Sequence, residues 1–224
     1  MKNSNYFKSN NELSLKEYSL FGRINVVVQN QLPKNIPLTK VIKRIMAVIP
    51  NYFLEDLDAI YIGEYDFLID KGLESLYEDG TIYISSLQHS EEDMFTDLVH
   101  EIAHCVEQSY GNDLYSDGLM EQEFLRKRKI LLDILKSQGY SGIADKEYFN
   151  PDYSEEFDEF LYMLVGYPIL NNLTNGLFVS PYGATSIREY FANCFEQYFG
   201  RSDFKTIKSI SPAVLDKIEM LLGK

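Results

Sequence analysis

The residues of this 224-residue chain best placed to do chemistry are His100, Glu101 and His104, in the segment HEIAH. Four positions apart on a helix, the two histidines project from one face, so both imidazoles can reach one metal ion. Glu101 is turned about 100° from His100 by the helical repeat, which moves it off the metal and toward the ion's water. That is the position of a general base. The pattern predicts a zinc-dependent hydrolytic site in which the ion lowers the pKa of its water toward about 7 and Glu101 takes the proton. Phe95, Leu98, Val99, Ile102 and Val106 run along the other side of the same segment. That stripe anchors the helix to a core and leaves the histidines facing a cleft.

Zinc needs at least one more protein ligand. His89, the third histidine, lies just upstream at the end of an expected strand and reads as a surface residue. Glu107 and Tyr110 stand where a metzincin would carry Gly and His, which excludes that ligand set. A downstream carboxylate is left. In SIREYFANCFEQYF, Glu189, Asn193 and Glu196 form a narrow polar stripe opposite Ile187, Phe191, Cys194, Phe195 and Tyr198. Glu189 could instead close a capping box with Ser186 and touch no metal. Spacing alone leaves this open, with Glu155, Glu156, Glu159 and Glu196 as other possible ligands.

The elements that would position these groups follow from local patterns. Residues 1–18 are rich in Asn, Ser and Lys and read as a loosely ordered extension; 19–224 read as one domain. Strands are expected at 22–29, 59–63 and 81–86, the last entered through the Asp79-Gly80 turn signal. A helix is expected at 38–48. Another opens at Ser90, with Asp93 three residues on, and carries HEIAH. Further helices are expected at 118–136, 155–165 and 186–199, with a Gly- and Asn-rich connection from 166 to 183. The order predicts an α+β fold: a small mixed β-sheet packed on the HEIAH helix, followed by a mostly helical C-terminal half.

Composition narrows the partners. Acidic residues outnumber basic ones 34 to 21, for a formal charge of −13. Such a field repels phosphate backbones and anionic lipid, so neither nucleic acid nor a membrane surface is an expected partner. No apolar run has the length of a membrane span, and the N-terminus has no signal-peptide core. A soluble protein, cytoplasmic where it is made and then released or virion-associated, is the expectation. Cys105 and Cys194 are read as two buried thiols rather than a bridge.

The segments 58–86, 97–105 and 180–199 resemble the catalytic domain of anthrax lethal factor and its smaller relatives, the toxin-like and proline-proline-cleaving zinc endopeptidases. In that group the HExxH helix is followed by a Tyr and, seven residues later, a Glu opening an E-(F/Y)-F-A motif. Here Tyr182 stands seven positions before Glu189, and Glu189-Tyr190-Phe191-Ala192 matches the motif. Phage-encoded proteins of this type look similar. The resemblance implies a zincin-like fold of the gluzincin type, with zinc held by His100, His104 and Glu189. It implies Glu101 as the base and Tyr182 as hydrogen-bond donor to the oxyanion. It also implies that Thr81, Ile82, Tyr83, Ile84 and Ser85 form the edge strand against which a peptide substrate pairs. The chain departs from the group at Asn193, where an acidic residue often supports a histidine. It also has 85 residues between His104 and Glu189, longer than in compact members, so 118–172 reads as an added helical layer near the cleft.

The function so implied is a zinc-dependent metalloendopeptidase acting on peptides or proteins. A non-catalytic, zinc-stabilised binding or assembly module is the alternative, but neither Glu101 nor Tyr182 is needed merely to hold an ion.

Overall fold

The computed structural model describes residues 16–224. The chain is α+β. Five strands, β1 (Lys16–Leu20), β2 (Ile24–Val28), β3 (Ala59–Gly63), β4 (Ser75–Glu78) and β5 (Thr81–Ser85), make one sheet in the order β1-β2-β3-β5-β4. β2, β3 and β5 are parallel neighbours, and β1 and β4 are antiparallel additions at the two edges, so the sheet is mixed.

The register explains how the sheet finds its core. Val26, Ile60 and Ile82 lie side by side, as do Val28, Ile62 and Ile84, and all six are buried. Alternation sends Tyr61 and Tyr83 to the opposite face, where their rings stack with centroids 5.8 Å apart. On the apolar face lie α1 (Leu38–Val48) and α3 (Glu91–Tyr115). Between β3 and β4 is a short helix, α2 (Asp66–Lys71), ended by Gly72 in the left-handed conformation.

The Asp79-Gly80 signal is the loop of a β4–β5 hairpin. Both residues have positive φ, 43° and 78°, as a tight two-residue loop requires. β4 was not expected from the sequence, and its presence changes the status of β5. Thr81, Ile82, Tyr83, Ile84 and Ser85 do not form an edge strand; they are paired on both sides, and the free edge beside α3 belongs to β4. The folded domain also begins earlier than expected, because residues 16–18, read as the end of the extension, pair with β2. The rest of the extension, 1–15, lies outside the described residues.

After α3 the chain is helical: α4 (Leu119–Ser137), α5 (Glu155–Glu159), a π-helical turn (Phe160–Val165), α6 (Tyr167–Leu173), α7 (Ile187–Arg201), α8 (Phe204–Ile210) and α9 (Pro212–Leu221). α6 occupies part of the connection read as loop. α4 is no surface appendage, since Phe124, Leu131 and Leu135 are fully buried. Arg128 on the same helix is also buried, its guanidinium 3.7 Å from the Phe157 ring centroid. It donates to the carbonyls of Glu147, Ala184 and Thr185, tying α4 to the turn that leads into α7. Both cysteines are free and buried. No helix among the described residues is long and apolar enough to cross a membrane.

Candidate metal centre

α3 supplies two of the three groups. Its first turn is fixed by Ser90, whose Oγ accepts from the Asp93 amide at 3.1 Å. The expected apolar stripe is buried to the last residue, and Glu101 and His104 are also largely enclosed, because α7 packs along the other side of α3. α7 supplies the third group. Ser186 Oγ accepts from the Glu189 amide at 3.1 Å, so Ser186 is the helix cap. The Glu189 side chain does not complete the capping box; it turns to the histidines. The two readings of Glu189 therefore describe different parts of one residue.

His100 Nε2 lies 3.0 Å from Glu189 Oε2, and His104 Nε2 lies 3.4 Å from Glu189 Oε1. One ligand atom from each residue falls within 4.8 Å of the others, and among the described residues these three form a group able to hold a metal ion. Bonds of about 2.0–2.1 Å to nitrogen and oxygen in a tetrahedron imply ligand separations of about 3.3 Å. The two histidine–carboxylate separations, 3.0 and 3.4 Å, are close to that. The donor set, two imidazoles and one carboxylate, leaves a position for water or substrate.

The outward nitrogens are backed as well. His104 Nδ1 is 3.4 Å from Glu107 Oε2, and His100 Nδ1 is 3.8 Å from Glu196 Oε2. Glu107 is buried and accepts from Arg188 Nε at 2.8 Å and from the Tyr115 hydroxyl. A carboxylate behind a ligating imidazole fixes the tautomer that presents Nε2 to the ion. Asn193 takes no such role: it donates to the Glu189 carbonyl at 2.7 Å and accepts from Ser180, bracing the 180–186 turn against α7.

In the metal-free molecule these contacts shift protons. Burial opposes charge on His100, but hydrogen bonds to Glu189 and Glu196 override it and raise the imidazole above its ordinary range. His104 is raised in the same way by Glu107 and Glu189. Burial would neutralise Glu189, yet the two histidines hold its carboxyl below the usual range. Three groups that share protons this tightly are three groups a cation can take over.

Glu101 and Tyr182 border the same cavity of about 340 Å³, together with Ser75, Leu76 and Tyr77 of β4. Ser75 Oγ donates to Glu101 Oε1 at 2.7 Å, which fixes one carboxylate oxygen and leaves the other free. The Tyr182 ring centroid is 6.5 Å from that of His100, and its hydroxyl makes no hydrogen bond to a described residue. Burial, then the Glu189 charge, push that phenol well above its ordinary range and keep it a donor.

Of the expected site residues, His100, Glu101, His104, Tyr182 and Glu189 converge, whereas the β5 residues do not line the cavity. Glu155, Glu156 and Glu159 are exposed on α5, apart from the ligand group, and His89 is a surface residue. Ser75, Asp97, Glu107 and Arg188 were missed. Glu107 and Asp97 were within reach, since one lies three residues after His104 and the other three before His100 on the same helix; Ser75 and Arg188 meet the site only through the tertiary fold. Asp97 borders the cavity with its pKa pushed up to about 6 by burial. No protein-family model, no curated protein and no solved structure matches this chain.

Proposed function

We propose that this chain is a zinc metallopeptidase of the lethal-factor-like, gluzincin type, with a zincin-like catalytic domain. One observation carries the reading: the Glu101 carboxylate and the Tyr182 phenol flank, inside one cavity, a two-histidine, one-carboxylate group able to hold a metal ion. A module that only holds an ion has no use for either.

His100 Nε2, His104 Nε2 and Glu189 would hold the ion. When bound, zinc supplies Lewis acidity to a substrate carbonyl and to a water in its open position. Glu101, steadied by Ser75, accepts the proton of the attacking water and later delivers it to the departing amine. Tyr182 donates a hydrogen bond to the oxygen on which charge develops. The sheet edge bordering the cavity is β4, so an extended substrate would pair with Ser75–Glu78 rather than with the strand expected from the sequence.

The test is cleavage of a mixed peptide library by metal-free protein, zinc-loaded protein and zinc-loaded Glu101→Gln. Zinc-dependent cutting that disappears in the variant is expected. If zinc raises the melting temperature but no peptide is cut, the peptidase reading is wrong and the zinc-stabilised module takes its place.

A further inference from the structure

The chain from α5 into α6 departs from ordinary helix geometry at one place. Gly166 N–H bonds to the Leu161 carbonyl, five residues back, closing the π-helical turn Phe160–Val165. Continued as an α-helix from buried Phe157, the segment would centre Leu164 on the apolar stripe, seven residues on. The wider turn buries Val165 instead. Tyr162, Met163 and Leu164 are left 60%, 76% and 55% exposed, three consecutive large apolar side chains in water. A folded surface rarely carries such a run without a use for it.

This surface is continuous with the cavity. The Tyr162 ring lies 5.5 Å from Tyr167, Tyr167 lies 6.2 Å from Tyr182, and Tyr182 borders the metal group. Asp158 holds the middle of this wall, accepting from the Tyr167 hydroxyl at 2.9 Å. Extended chain advances about 3.3 Å per residue, so the exposed turn begins within roughly six residues of the bond being cut. Glu155, Glu156, Asp158 and Glu159 sit beside the turn, and negative charge there opposes an anionic lipid surface or a nucleic acid.

We propose that the π-helical turn is a docking platform for the peptide substrate, taking an apolar or aromatic side chain several residues from the scissile bond. The proposal rests on the peptidase reading and adds a substrate class to it: sequences with an apolar anchor remote from the cut, on one side only. The turn makes no bond to the metal group, so it acts on binding rather than on the chemistry.

Met163→Ser and Leu164→Ser test this, since both side chains are exposed and outside the catalytic machinery. Peptides sharing one cleavage core, extended by zero to eight residues on either side with or without a remote Leu or Phe, are compared with zinc-loaded wild type. The expected result is a gain of about tenfold in kcat/KM from one remote apolar residue. Either variant should remove the gain, through KM, while short peptides are cut at the wild-type rate. Equal effects on long and short peptides, or no gain in wild type, overturn the proposal. So does a wild-type dimer in sedimentation that either variant dissociates, because the turn would then be a contact between copies. If wild type cuts nothing, the peptidase reading fails separately. Anisotropy of the same labelled peptides on zinc-loaded Glu101→Gln, with and without Met163→Ser, then decides the platform by retained or absent discrimination.

Discussion

Replacing Glu107 by Gln removes the charge behind His104 and little else, because the two side chains have nearly the same shape. In the native arrangement Glu107 Oε2 faces His104 Nδ1 at 3.4 Å and also accepts from Arg188 Nε at 2.8 Å. Ligation through Nε2 requires a proton on Nδ1, and a carboxylate there both stabilises that tautomer and makes Nε2 a better donor to the ion. Gln can present its NH₂ to Nδ1 instead, which favours the wrong tautomer. Loss of such a partner costs about 10–100-fold in metal affinity, or about 1.4–2.7 kcal/mol. The same change also weakens proton binding at His104, which Glu107 raises. At acid pH that would offset the loss, so the measurement belongs on the alkaline side. Competition with a chromophoric chelator gives the zinc dissociation constant directly. Arg188→Gln is the companion variant: it leaves the Glu107–His104 contact in place and should weaken zinc less. Zinc affinity in Glu107→Gln within about threefold of wild type, in protein that still melts cooperatively, would refute the reasoning.

Glu101→Gln should keep its zinc, read by metal analysis, and lose about 10²–10⁴ in turnover as a missing general base does. Tyr182→Phe should lower kcat by about 10² with metal content unchanged, as for removal of one oxyanion donor; a rise in KM with kcat unchanged would assign Tyr182 to binding instead. Glu189→Ala should abolish the rise in melting temperature on adding zinc, which in wild type corresponds to about 4 kcal/mol at 1,000 times the dissociation constant. Glu196→Ala should retain most of that rise. pH acts on the metal-free protein through raised histidines, whose stabilisation is complete below their ordinary value of 6.5 and fades as pH climbs through the raised ones. The lowered Glu189 loses its share only as pH falls below 4.5 toward about 2. Metal-free protein should therefore melt lower at about pH 9 than at about pH 6, whereas zinc stabilises more at the higher pH because it no longer competes with protons.

How much of this was legible depended on whether the signal was local. α3 and α7 were legible because each carries a Ser cap with an acidic residue three positions on and a long apolar stripe. β2, β3 and β5 showed as β-branched runs. β4 did not: SLYE is four residues with one buried side chain, too short for alternation to register. The resemblance made β5 the edge, and β4 takes that place instead, because which strand lies outermost depends on the partners. His100, Glu101 and His104 follow from one helix's geometry. The choice of Glu189 over Glu196 did not follow from spacing, since both lie on one polar stripe; the fold separates them by aiming one at Nε2 of His100 and the other at Nδ1. Leu164 was read as an ordinary position of a helix, because a π-helical turn leaves no mark in hydrophobic periodicity.

The guanidinium of Arg128 has an implication for what could be cut away. Its donors end on main-chain oxygens of the segment that aims Tyr182 and starts the helix bearing Glu189. Those oxygens have no water to fall back on, and Arg128 keeps its charge only at the expense of burial that pulls its pKa down to about 9. A shortened protein without residues 118–172 would leave them bare and the aromatic donor unaimed. The stretch that looks most like an accessory is therefore a structural precondition of the candidate metal centre, and a minimal version would need a replacement for that one cation before anything else.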